Sequence, residues 1–231
     1  MATERLIPSV ERRLSAWVNL QERLGHQPRP RPRRTITLSR QFGCEGYPLA
    51  ERLQAVMEAR SGEPWTIFDK ALLERVSGEK QLSDRLLGQI GAEGHALDVL
   101  ASLMPGWHTH DEAYDTLVRY MVRIAREGNA IIVGRGGAVV TQELPNCTHF
   151  RLEAPREFRV ASIACRLAVS EAEAEALVTE QQERRDRFIE RFLHCSIADT
   201  RYYHAVYNSA KSPLDRIAAS ILELIPPSVP A

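Results

Sequence analysis

Apolar residues recur along this chain with two different periods, and the changes of period outline its elements. Over residues 8–25 the period is helical. Leu6, Val10, Leu14, Trp17, Leu20 or Gln21, and Leu24 return every three or four positions, with Glu11, Arg12, Arg13, Glu22 and Arg23 between them. Gly25 then supplies a stop. A lone amphipathic helix must bury its stripe on the main domain or on a second copy, so a homodimer through it is one expectation. From His26 to Arg34 prolines alternate with other residues, mostly arginine, which forbids helix and favours a stiff, extended linker. The linker reads as a solvated spacer or as a contact for an anionic partner.

At Thr35 the pattern changes to short β-branched and apolar runs. The strand candidates are Thr35–Ser39, Trp65–Phe68, Ala130–Val133, Cys147–Leu152 and His204–Tyr207. Helical patterns lie between them, first with Leu49, Leu53, Val56 and Met57 on one face, then over 113–127, 155–168 and 171–194. Apolar strands alternating with helices predict an α/β fold, a parallel sheet with helices on both faces. Between about 71 and 115, Gly78, Gly88, Gly91, Gly94, Pro105 and Gly106 predict short helices and turns.

Composition narrows the class. A chain of 231 residues, 44% hydrophobic and 26% charged, suits one domain of substantial size, or one domain plus an appendage. Thirty basic residues balance thirty acidic ones, which removes any bulk-charge argument for nucleic acid or an acidic membrane. No window approaches the roughly 18 apolar residues of a membrane span, and the first five residues lead into no signal-peptide core. Cys44, Cys147, Cys165 and Cys195 are scattered and read as reduced thiols, so the expected location is cytoplasmic. His108-Thr109-His110-Asp111 has no third partner at a metal-site spacing and reads as a polar loop. Lysine occurs only at positions 70, 80 and 211; arginine supplies the remaining basic residues, and its planar fork suits phosphate.

In an open parallel sheet, ligands sit at the carboxyl ends of the strands. Ser39, Arg40, Gly43 and Gly46 follow the first strand, Asp69 and Lys70 the second, and Gly134-Arg135-Gly136-Gly137 the third. Arg184, Arg187 and Arg191 lie at steps of three and four, on one face of a helix. Such a stack repels itself unless an anion sits against it, or unless Glu183, Asp186 and Glu190 make it a solvated, self-paired surface.

These segments resemble the cytidylate kinase-like family of P-loop proteins. The resemblance rests on Ile36-Thr37-Leu38-Ser39-Arg40-Gln41-Phe42-Gly43, Phe68-Asp69-Lys70 and Ile131-Ile132-Val133-Gly134-Arg135-Gly136, then the arginine-rich helix, then Asn208-Ser209 before Leu214-Asp215. It covers about residues 35–225. It implies a nucleoside monophosphate kinase-like three-layer fold over 35–226, with a five-stranded parallel sheet, an acceptor-binding insertion at 71–115 and a lid at 180–200. The helix (1–27) and linker (28–34) fall outside it. It further implies ATP and Mg2+, with transfer of the γ-phosphoryl to a (d)CMP-like nucleotide or related small acceptor.

On this resemblance Ser39, Arg40, Gln41, Phe42, Gly43, Cys44, Glu45, Gly46 and Tyr47 would hold the nucleotide, with amides after Gly43 forming a cradle. Asp69, Lys70, Arg135 and Gly136 would hold the acceptor, and Arg40, Arg184, Arg187 and Arg191 would be catalytic. The chain departs from GxxxxGK[ST]. Gly46 stands for the lysine, as is common in this family, Pro48 for the hydroxyl, and Glu45 where a small glycine is usual. Arg40 is the first substitute cation and Lys70 the second. Gly136 replaces an aspartate that helps cytidylate kinases bind their nucleotide. A non-catalytic nucleotide-binding regulator with a degenerate loop is the alternative. A third reading has the arginines recognise an anion other than a nucleotide.

Overall fold

A computed structural model describes residues 8–24, 33–78 and 112–225. Its sheet has five strands: β1 (Thr35–Arg40), β2 (Thr66–Phe68), β3 (Ala130–Val133), β4 (Cys147–Glu153) and β5 (Ala205–Asn208). They lie in the order β2-β3-β1-β4-β5, every adjacent pair parallel. All five carboxyl ends therefore open on one edge. The central strand β1 is buried on both faces, which is why its apolar and threonine positions alternate without a charged residue before Arg40.

The two-residue strand period sorts the core into two layers. On one face Ile36, Leu38, Ile131, Val133, Phe150 and Leu152 meet α2 (Gly46–Ser61) through Leu49 and Leu53, and the last helix, α8 (Leu214–Leu224), through Ile217 and Ile221. On the other face Ala130 and Ile132 meet α3 (Lys70–Gly78), α4 (Glu112–Glu127) and the short α5 (Gly137–Val140). A third cluster, with Phe42, Val160, Ile163, Ala174 and Val178, joins α6 (Arg156–Leu167) to α7 (Glu171–Leu193). A capping box of Ser170 and Glu173 starts α7. The carboxyl half of α7 lies beside the mouth of the sheet, and a 3-10 turn at Thr200–Tyr202 leads into β5.

The first helix, α1 (Val10–Leu24), takes the first of its two options for Leu14 and Trp17. Both are buried against the same chain, and Trp17 packs edge-on to Phe68 at 5.7 Å. Burying two such side chains contributes about 1.5–3 kcal/mol each. Of the insertion between 71 and 115, residues 71–78 belong to α3 and 112–115 open α4. The rest, including His108–Asp111, lies outside the described residues.

Candidate active site

The site is built where β1, β2 and β3 end. Arg40, the last residue of β1, turns its side chain across the start of α2. A Cβ on Gly46 would stand 3.1 Å from Arg40 Cγ, and one on Gly134 would overlap Arg40 Nη1. Glycine at both positions leaves the room that the guanidinium fills. Gly134, Arg135 and Gly136 all take positive φ, at 84°, 55° and 73°. For Arg135 that conformation costs about 1–2 kcal/mol. It sets the Arg135 fork over the Phe188 ring at 4.4 Å, with Nη2 2.6 Å from Glu74 Oε1.

A third guanidinium comes from α7. Arg185 stacks on Phe42 at 4.9 Å, and its Nη1 is sealed from solvent with no hydrogen-bond partner among the described residues. The three groups feel one another. Burial first, and then Arg135, push Arg40 down to about 10, against the pull of Asp69. Burial, with Arg40 and Arg135 adding to it, pushes Arg185 well below its ordinary range. Arg135 is lowered by burial while Glu74 opposes the shift. Ser39, Lys70, Gly134, Gly136, Gln182 and Arg184 complete the walls of a cavity of about 390 Å³. A neighbouring cavity of about 570 Å³, reaching Arg151 and His194, shares Gln182 and Asp186 with it.

The loop after β1 is built differently. Several of its amides are committed: Phe42 N–H donates to Gln182 Oε1 at 2.9 Å, Cys44 N–H to Gln41 O at 3.2 Å, and Gly46 N–H to Cys44 O at 2.8 Å. Of the amides expected to form a cradle after Gly43, those of Cys44 and Gly46 are thus taken up within the five-residue link from β1 to α2. Gly43 is required by packing, since a Cβ there would stand 2.6 Å from Arg159 Cβ and 2.8 Å from Arg159 O. Gln41 Oε1 accepts from Ala154 N–H at 3.0 Å, and burial raises the Cys44 thiol. Tyr47 is half-buried beneath Arg13. Glu45 does not face the cleft cations; its carboxylate lies 4.0 Å from Arg166 Nε.

The arginines expected on one face of α7 do separate from the cleft in part. Arg184 reaches the cavity wall, with Glu180 3.7 Å away. Arg187 is 70% exposed and pairs with Glu183 at 3.8 Å, and Arg191 is exposed against Phe192. Arg185, which the spacing argument passed over, is the inward residue; its signal is its place seven positions after Val178 and four before Ile189, on the buried stripe of the helix.

The model of the cytidylate kinase-like family matches residues 35–211, more than half of the chain. The chain belongs to that family. Among solved structures, an uncharacterized protein from Eubacterium ventriosum has a TM-score of 0.63 at 17% identity, over 84% of this chain and 98% of that one, which shows a shared fold. A shikimate kinase from Bacteroides thetaiotaomicron (TM-score 0.42, 8% identity, 83% and 97% covered) and a gluconokinase from Sinorhizobium meliloti (0.41, 12%, 84% and 95%) are more distant, and nothing rests on them. No curated protein matches the sequence.

Membership of a kinase-like family supports a nucleotide or small-molecule kinase and implies ATP, usually with Mg2+. The described residues of this cytidylate kinase-like chain hold no cluster of three ligating side chains. Asp69 Oδ1 already accepts from Arg13 and from Leu72 N–H, Asp186 Oδ1 accepts from Gln182, and Pro48 has no hydroxyl. These groups do not assemble a magnesium site, so no step below passes through the ion. At Gly136 the φ of 73° favours glycine over an aspartate, and Leu193 Cδ1 lies in the space a Cβ would take. No helix among the described residues is long and apolar enough to cross a membrane.

Proposed function

We propose that this chain transfers the γ-phosphoryl group of ATP to a (d)CMP-type nucleotide or a related small acceptor, in the cytoplasm. One observation carries the reading: Arg185, whose sealed Nη1 has no hydrogen-bond partner among the described residues, beside Arg40 and Arg135. Three guanidiniums gathered in one cleft repel each other and lose hydration, a cost that a bound phosphate offsets through charge-assisted, two-pronged hydrogen bonds. Phosphoryl transfer asks the protein mainly for positioning and for positive charge around the moving group.

Arg40, between the ends of β1 and β3 and the start of α2, is placed to face donor phosphates. Arg135, at the exit of β3 beside Asp69 and Lys70, faces the acceptor. Arg185 reaches across from α7 toward the space between them. The transition-state role expected of Arg187 and Arg191 passes to Arg185, with Arg184 at the rim.

A specific observation favours a second reading, a nucleotide-binding regulator that transfers nothing: the loop amides of Phe42, Cys44 and Gly46 are consumed internally. A coupled assay of ADP formation across the nucleoside monophosphates separates the two. The kinase reading expects acceptor-dependent ADP, greatest with CMP or dCMP. ATP binding without ADP formation for any acceptor selects the regulator.

A further inference from the structure

We propose that Arg13, on the helix preceding the kinase-like domain, is a positioning residue of the anion site: it occupies Asp69 so that Arg40 keeps its charge for phosphate. The proposal rests on the functional reading above only in taking the cleft to bind phosphate.

Arg13 Nη1 lies 2.7 Å from Asp69 Oδ1, and each side chain is only 11% exposed. The same oxygen caps α3 by accepting Leu72 N–H at 3.0 Å. Arg13 is fixed from other sides too. Its Nε donates to Pro8 O at 3.0 Å, and its guanidinium lies 5.8 Å from the Tyr47 ring centre. One turn further along α1, Trp17 anchors the helix on Phe68, the residue just before Asp69.

The register of the sheet carries this contact to the cleft. Phe68 pairs with Ile132, so Asp69 stands level with Val133, one position before Gly134. Gly134 is where Arg40 Nη1 rests. Parallel strands lie about 4.8 Å apart, so the Asp69 carboxylate and the Arg40 guanidinium are neighbours across one strand spacing. Asp69 accordingly acts on Arg40 as its main opposing charge. Two cations therefore compete for one carboxylate. With Arg13 in place, Asp69 is held at the start of α3. Without it, Asp69 is left to act on Arg40, and an Arg40–Asp69 pair would neutralise the end of the site that receives phosphate.

The test uses the full chain, with inorganic pyrophosphate as the calorimetric probe and a thermal melt of each variant. Arg13→Gln should weaken pyrophosphate binding about tenfold, the equivalent of about 1.4 kcal/mol. Arg13→Lys keeps the charge and should recover most of the loss. In an Asp69→Asn background, Arg13→Gln should have no further effect, because the residue acts through that carboxylate. A helix that merely braces the fold would show neither the lysine rescue nor the dependence on Asp69. Should Arg13→Gln not fold alone, Arg13→Gln/Asp69→Asn compared with Asp69→Asn carries the test: equal pyrophosphate binding supports the proposal, and a further loss overturns it. Wild type that binds while Arg13→Gln binds equally well, or an Arg13→Gln loss that is just as large in the Asp69→Asn background, overturns the proposal. Wild type that binds neither pyrophosphate nor ATP overturns the phosphate reading itself and this inference with it.

Discussion

The loops that leave β1 and β3 both contain glycine and both end against the start of a helix, yet they are built for different purposes. In the β1 loop the glycine serves packing: Gly43 yields to the backbone of Arg159, Glu45 turns to Arg166, and the amides of Phe42, Cys44 and Gly46 bond within the protein. In the β3 loop three successive residues hold positive φ, and the space won at Gly134 is filled by a guanidinium. A glycine-rich loop is thus not a phosphate site by composition. What makes one is whether its polar groups are left facing the cleft. Here side-chain forks, more than backbone amides, supply the positive charge.

The contrast can be broken at its glycines. Gly43→Ala places a methyl group against the backbone of Arg159 at a φ of 96°, and strain plus overlap should cost about 3 kcal/mol of stability. Gly134→Ala meets only the far end of a flexible side chain. It should cost about 1 kcal/mol of stability while weakening ATP binding about tenfold as Arg40 is displaced. Chemical denaturation and ATP titration of both variants check this. Equal losses of affinity would mean that the two loops are equivalent.

A smaller effect separates fold from cleft by pH. His149, on β4, is buried, bonded through Nδ1 to Thr37 Oγ1 at 2.8 Å, and its pKa is pushed from 6.5 down to about 4 by burial, with His204 adding to the shift. The unfolded chain takes this proton near the ordinary histidine pKa and the folded chain does not. Stability is therefore full above that pKa and is lost as pH falls toward about 4. From about pH 7 to about pH 5 the loss should be about 2 kcal/mol. His149→Asn should flatten that slope. Over the same range the cleft arginines stay charged, so their contribution to anion binding should not titrate.

The strands and most helices were legible in the sequence because their signals are local: β-branched and apolar runs of four to six residues with helical stripes between them. The site was legible by segment but not by atom. Arg40, Asp69 and Arg135 fall at strand ends, where topology collects them. Which amides of the β1 loop remain available depends on Gln182, 140 residues away from Phe42. The Arg13–Asp69 bridge spans 56 residues and crosses a linker, so no local pattern announces it. On α7 the periodicity of Arg184, Arg187 and Arg191 drew attention to the outer face. The informative anomaly was a charged residue on the apolar stripe, Arg185.

That residue supplies the most direct test. ATP should be titrated calorimetrically into wild type, Arg185→Gln and Arg187→Gln, followed by single-turnover kinetics with the best acceptor. If the inward guanidinium cluster is the phosphate site, Arg185→Gln should slow turnover by about a hundredfold or more, as the loss of one positioned transition-state donor does, and weaken ATP binding. Arg187→Gln should stay within about twofold of wild type, as expected for an exposed, screened charge. Normal binding and turnover in Arg185→Gln, with a large loss in Arg187→Gln, would contradict the account and return the chemistry to the outer face of α7.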